Sequence, residues 1–143
     1  DNIRRLAAWS LGRIDINRLI NLLDSKDKDI KTIAMDALIK LDKNNVSYML
    51  DRFQTEDKET KNKILEYVAR MQNPMLNDKL MEIVENTNEE IEIRLNVLTI
   101  LKETGTMELE GRLNSIYYND PIPEIKELAK QTLDFIKNKE KKQ

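Results

Sequence analysis

Asp24, Asp27 and Asp29 share one loop and are the kind of oxygen donors that hold a hard cation. The same three also stand where a helix begins, where acids cap the chain and offset the helix dipole, and they read as capping and solvation. Little other site chemistry is open to this chain. It has no cysteine, which removes disulfides and thiolate zinc sites, and no histidine, which removes the commonest metal ligand and the commonest general base. No Ser-His-Asp arrangement can be assembled, and the only glycines, Gly12, Gly105 and Gly111, are too scattered to cradle a phosphate. No catalytic residue, metal or cofactor is expected, and what remains is recognition. The residues suited to it are cations, carboxylates and the single tryptophan: Arg5, Trp9, Arg13, Asp36, Lys40, Glu66 and Arg70.

The elements that position these residues come from a block that recurs five times, beginning near Ile3, Ile30, Thr60, Ile93 and Ile125, at spacings of 27, 30, 33 and 32 residues. The polar columns agree along with the apolar ones. Just before each start stand Asn2, Asp29, Glu59, Glu92 and Glu124; just after it stand Arg4, Lys31, Lys61, Arg94 and Lys126. Five residues ahead lie Ser25, Thr55, Asn88 and Asp120, short side chains that cap helices or close turns. Inside the blocks, apolar residues fall on one helical face, as in Ile30, Ile33, Ala34, Ala37, Leu38 and Leu41. A second, shorter apolar pattern lies between them, for instance Val46, Met49, Leu50 and Phe53, and reads as a partner helix. Asn73-Pro74, Gly105 and the run Asp120 to Pro123 punctuate the breaks. A period of this length with helical patterning predicts stacked helix pairs, each burying its apolar face on its neighbours. The expected order is nine helices: an orphan second-type helix over 2–14, then pairs over about 15–42, 45–72, 75–104 and 107–138, making a single domain of 143 residues.

The stretch Asn2-Ile3-Arg4-Arg5-Leu6-Ala7-Ala8-Trp9-Ser10-Leu11-Gly12-Arg13-Ile14 resembles the second helix of a bacterial HEAT-like repeat of the phycobilisome-lyase type, and the likeness extends with more divergence along the whole chain. Small residues at Ala7, Ala34 and Ala129 fit the close helix approach of that family. The resemblance implies an all-α fold, a right-handed α-solenoid of stacked antiparallel helix pairs forming a HEAT-like superhelix. It also implies an Asp-to-Arg ladder between repeats, for which the basic rung is present five times while the acid expected in that column occurs only at Asp120. HEAT-like metalloenzymes that hold iron with His-Glu pairs are excluded by the absence of histidine.

Function follows as a set of expectations. The leading one is a non-catalytic scaffold that holds a protein or peptide partner on the concave face lined by second-type helices. Arg5, Trp9, Arg13, Asp36, Lys40, Glu66 and Arg70 are expected on one continuous inner face, because equivalent positions of stacked repeats align. The alternatives are a nucleic-acid-binding module, a structural spacer, and a lyase-like or chaperone-like subunit acting with a partner. Arg5, Arg13, Lys40 and Arg70 hint at a basic stripe, but Asp36 and Glu66 interrupt it and the formal charge is −2. The Arg4, Lys31, Lys61, Arg94 and Lys126 column flanks the apolar face and is expected to be structural. No run of apolar residues is long enough for a membrane helix, and a cytoplasmic setting is expected. The array opens at Asp1 on a helix without its pair, so a fragment of a longer chain is expected, with Ile3, Leu6 and Leu11 forming an apolar edge that promotes self-association. Trp9 is either an anchor for the partner or a residue packed against a preceding repeat.

Overall fold

A computed structural model describes residues 3–4 and 16–142. Among these residues the chain is helical throughout, with no strand. Ile3 and Arg4 are helical; the rest of the expected first helix lies outside the described residues. Eight helices follow: α1 (Ile16–Leu22), α2 (Lys28–Leu41), α3 (Val46–Asp51), α4 (Lys58–Met71), α5 (Asn77–Glu85), α6 (Ile91–Thr104), α7 (Glu110–Asn119) and α8 (Pro123–Lys141).

The repeat register fixes where these helices begin. Each second-type helix, α2, α4, α6 and α8, starts two residues ahead of the column residue Ile30, Thr60, Ile93 or Ile125. The first three are each 14 residues long, while α8 runs to 19. Local chemistry sets the boundaries. Asp27 caps α2, its carboxylate accepting from the amides of Asp29 and Ile30. Pro123 occupies the first position of α8, where a missing amide hydrogen costs nothing. The first-type helices α3, α5 and α7 are short, and each is preceded by a three-residue 3-10 turn, Lys43–Asn45, Pro74–Leu76 and Met107–Leu109. Asp42 and Asn73 hold the first two of these turns by accepting from the amides of Asn44 and Met75.

Contacts divide the chain into two compact units, Asp1–Asp57 and Lys58–Gln143. In the first, α1 packs on α2, and α2 on α3 and the turn before it. Its core holds Leu19, Leu23, Ala34, Met35, Leu38, Val46, Met49 and Phe53. In the second, α5 packs on α6 and α7 on α8, while the second-type helices meet in order, α4 on α6 and α6 on α8. The predicted apolar columns are buried there, including Ile64, Val68, Ile93, Val97, Leu101, Ile125, Ala129, Leu133 and Ile136.

The structure adds a buried column that the periodicity reading missed. Five residues after each start, Met35, Leu65 and Leu98 are buried although they sit beside the expected stripe. In the second unit the reason is on view: α6 meets both its own partner helix α5 and the neighbouring helices α4 and α8, so it buries a wider arc than one amphipathic face.

Buried polar side chains tie the ends of the helices. Asn45 donates to the carbonyl of Leu38 at 2.8 Å, and Asn77 donates to the carbonyl of Thr104 at 2.8 Å. Thr132, in the wall of α8, donates to the carbonyl of Leu98 on α6. The lysine-rich end of α8 is tied back to the bend before α7: Lys139 donates to the carbonyl of Glu103, and Glu140 accepts from the amide of Met107.

Candidate partner-binding surface

Two sets of charged residues on the second-type helices have opposite fates. The first is the basic column just after each block start. Arg4 pairs with Asp27 at 3.3 Å, Lys31 with Glu56 at 2.9 Å, Lys61 with Glu89 at 2.8 Å, and Arg94 with Asp120 through both terminal guanidinium nitrogens. Each acid precedes the next second-type helix, so the cation of one repeat is fixed to the turn of the following one. The expectation of an acid at Asp120 alone is therefore corrected. In the earlier repeats the acid stands one or two residues further along, as Asp27, Glu56 and Glu89, because the turns differ in length. Three of these carboxylates also organise their own turns. Asp27 caps α2, Glu89 accepts from the amide of Glu90, and Asp120 accepts from the amide of Ile122. The rungs become more enclosed along the chain: the cation's side chain is 49% exposed at Arg4, 17% at Lys31, 13% at Lys61 and 0% at Arg94. Arg94 also donates from Nε to the carbonyl of Val84. These four members of the column are tied into the fold.

The second set is the proposed recognition stripe. Arg5, Trp9 and Arg13 lie outside the described residues. Asp36 and Lys40 lie on α2 in the first unit, half-buried and exposed respectively; Glu66 and Arg70 lie on α4 in the second unit, both exposed. Lys40, Glu66 and Arg70 have no hydrogen-bonding or ionic side-chain partner among the described residues, in contrast to the four paired rungs. Carrying the same two offsets onward gives Thr99 and Glu103 on α6 and Gln131 and Phe135 on α8, all exposed. Phe135, 42% exposed with the Lys139 ammonium 5.5 Å from its ring centroid, is the aromatic member that the sequence reading did not single out. The offset that selected Lys40 and Arg70 identifies it once the column is followed to the fifth block.

Other charge clusters are internally satisfied. A cleft of about 420 Å³ in the first unit is lined by Lys28, Lys31 and Arg52, but these pair with Asp57, Glu56 and Asp24. In the loop that holds Asp24, Asp27 and Asp29, Asp24 serves Arg52, and Asp27 serves Arg4 and the cap. Among the described residues no group of three or more His, Cys, Asp or Glu is arranged to hold a metal ion. A second cleft of about 260 Å³, beside α7, contains Arg112, which meets Glu85 at 2.6 and 3.0 Å and Asp78 at 3.2 Å. The hydrogen bonds that Arg112 donates to Glu85 raise its pKa against the opposing effect of burial. On the surface, Lys58 bridges Glu92 at 2.7 Å and Glu90 at 3.3 Å. That hydrogen bond lowers the Glu92 carboxyl and raises the Lys58 ammonium.

Ile3 is 81% exposed, while Leu6 and Leu11 lie outside the described residues. No helix among the described residues is long and apolar enough to cross a membrane. No protein-family model and no curated protein matches the chain.

Proposed function

We propose that this chain is a non-catalytic scaffold, a HEAT-like right-handed α-solenoid that holds a protein partner on the exposed columns of its second-type helices. The observation that carries the reading is the contrast between the two charged columns. Four cations at one offset are committed to carboxylates of the next turn, whereas Lys40, Glu66 and Arg70 at the other offsets stand exposed with no hydrogen-bonding or ionic partner among the described residues. Charges that stabilise nothing within the fold are available to a ligand, and arginine and aromatic side chains, here Arg70 and Phe135, are enriched among the residues that anchor interfaces. The solenoid part of the reading is supported by the repeat register and by the ordered contacts of α4, α6 and α8.

The mixed charge of the columns favours protein over nucleic acid, since Glu66 and Glu103 interrupt any path for a phosphate backbone. The test is photo-crosslinking from Arg70 and from Phe135 in cells, followed by mass spectrometry and binding measurements with the captured protein. The expected result is one specific partner whose affinity falls by about 2 kcal/mol on Arg70→Ala or Phe135→Ala. Cross-links to nucleic acid, or a partner whose binding is indifferent to both substitutions, would overturn the reading.

A further inference from the structure

The outer face of the α7–α8 pair differs in kind from the corresponding positions of α5 and α6. On α6, the positions one and five residues after the block start are Arg94 and Leu98, both fully buried. On α8 the same positions are Lys126 and Lys130, both half-exposed. The companion helix changes in the same sense: Met81 and Val84 of α5, both buried, correspond to the half-exposed Asn114 and Tyr117 of α7. The surface that would receive a further helix pair is therefore polar and cationic instead of apolar.

The lysines form a line. Lys126, Lys130, Lys137 and Lys141 fall within about 60° around the axis of α8 and extend about 22 Å along it. Lys137 pairs with Glu110 at 3.5 Å and Lys130 with Asp134 at 3.4 Å, and the Lys130 ammonium lies 5.8 Å from the ring centroid of Tyr117. Lys126 and Lys141 have no ionic partner among the described residues. Lys126 is the fifth member of a column whose other four cations each hold an acid from a following turn.

We propose that this face docks an acidic amphipathic helix of a partner protein, laid along α8 with carboxylates meeting Lys126 and Lys141 and apolar residues against Tyr117. Charge complementarity selects this occupant. A helix repeats carboxylates every three or four residues, matching the lysine line, whereas two uncompensated ammonium groups separated by the length of α8 do not track closely spaced phosphates. This surface is distinct from the recognition columns, because Phe135 lies roughly 150° around α8 from the lysine line.

The experiment is an NMR titration of the full chain with a synthetic helical peptide carrying Glu at i, i+4, i+11 and i+15 and Leu beside them. Saturable shifts confined to α7 and α8 are expected, weakening with salt. Binding should fall at least about tenfold in the double variant Lys126→Glu, Lys141→Glu. The same variant should gain affinity for a peptide with Lys in place of Glu. The milder pair Lys126→Gln, Lys141→Gln keeps the test valid if the reversal perturbs folding, and should weaken binding without restoring the Lys peptide. Arg70→Ala should leave the titration unchanged, which separates this surface from the scaffold reading. Absence of saturable shifts, or indifference to both pairs of substitutions, would make the face a solvated cap and overturn the proposal. So would a dimer of the chain that dissolves on Lys126→Glu, or equal binding of heparin or anionic vesicles lost in the same variant.

Discussion

Two single positions carry backbone constraints that their neighbours do not share. Gln72 follows α4 with φ at 47°, the only non-glycine residue with positive φ among those described. Its amide still reaches back to the carbonyl of Val68, so it closes the helix in the left-handed conformation that glycine adopts most easily. Gln72→Gly is expected to stabilise the fold by about 0.5–1 kcal/mol, measured by urea unfolding; a loss of stability would show that the Gln side chain matters more than the backbone. Gly105 behaves in the opposite way. Its φ is ordinary, but an added Cβ would come within 2.5 Å of both the Leu101 carbonyl oxygen and Ile136 Cδ1. Ile136 can rotate aside, whereas the carbonyl is fixed in the last turn of α6. Gly105→Ala should destabilise by about 1–3 kcal/mol, and an unchanged urea midpoint would mean that the turn yields instead.

Among the elements, the ion-pair ladder is the device that joins one repeat to the next, and its rungs are not equivalent. Arg4 and Asp27 are both solvated, so Arg4→Ala is expected to change stability by no more than about 0.5 kcal/mol. Asp120→Ala leaves the guanidinium of Arg94 enclosed without its counter-charge and should cost about 3–5 kcal/mol. Adding Arg94→Met to that variant should recover part of the loss, since the buried charge is then gone. Equal effects of Arg4→Ala and Asp120→Ala in urea unfolding would refute the ordering. Sequence spacing identified the basic side of every rung but not the acidic side. A column comparison keeps residues at fixed offsets, whereas a carboxylate on a turn of variable length reaches the same cation from Asp27, Glu56, Glu89 or Asp120.

For the molecule as a whole, the helical class and the order of elements were readable because each second-type helix starts at a constant distance from its column residue. Burial was readable only in part. Met35, Leu65 and Leu98 were missed because they lie beside the single apolar face that the periodicity picks out, and for Leu98 the reason is that α6 is covered by α4, α5 and α8. Of the recognition stripe, Lys40, Glu66 and Arg70 are exposed and Asp36 is half-buried, and Phe135 escaped notice because the offset was not carried to the fifth block. The same distribution of contacts predicts where the fold opens last. Helix α6 meets α4, α5 and α8 and buries seven of its residues, so its amides should exchange most slowly with deuterium, while those of α1 and α3 exchange sooner. Slowest exchange in α2 instead would contradict this.

The additional length of α8 has an effect far from the helix itself. Lys139 and Glu140 grip the carbonyl of Glu103 and the amide of Met107, the two sides of the bend between α6 and α7. The last turn thus serves as a splint for a joint more than thirty residues upstream in sequence. Trimming the chain back to Asn138 with carboxypeptidase should accelerate deuterium uptake at residues 105–107 before it disturbs the remainder of α8. A protease acting at one extremity would then loosen a hinge in the interior of the chain.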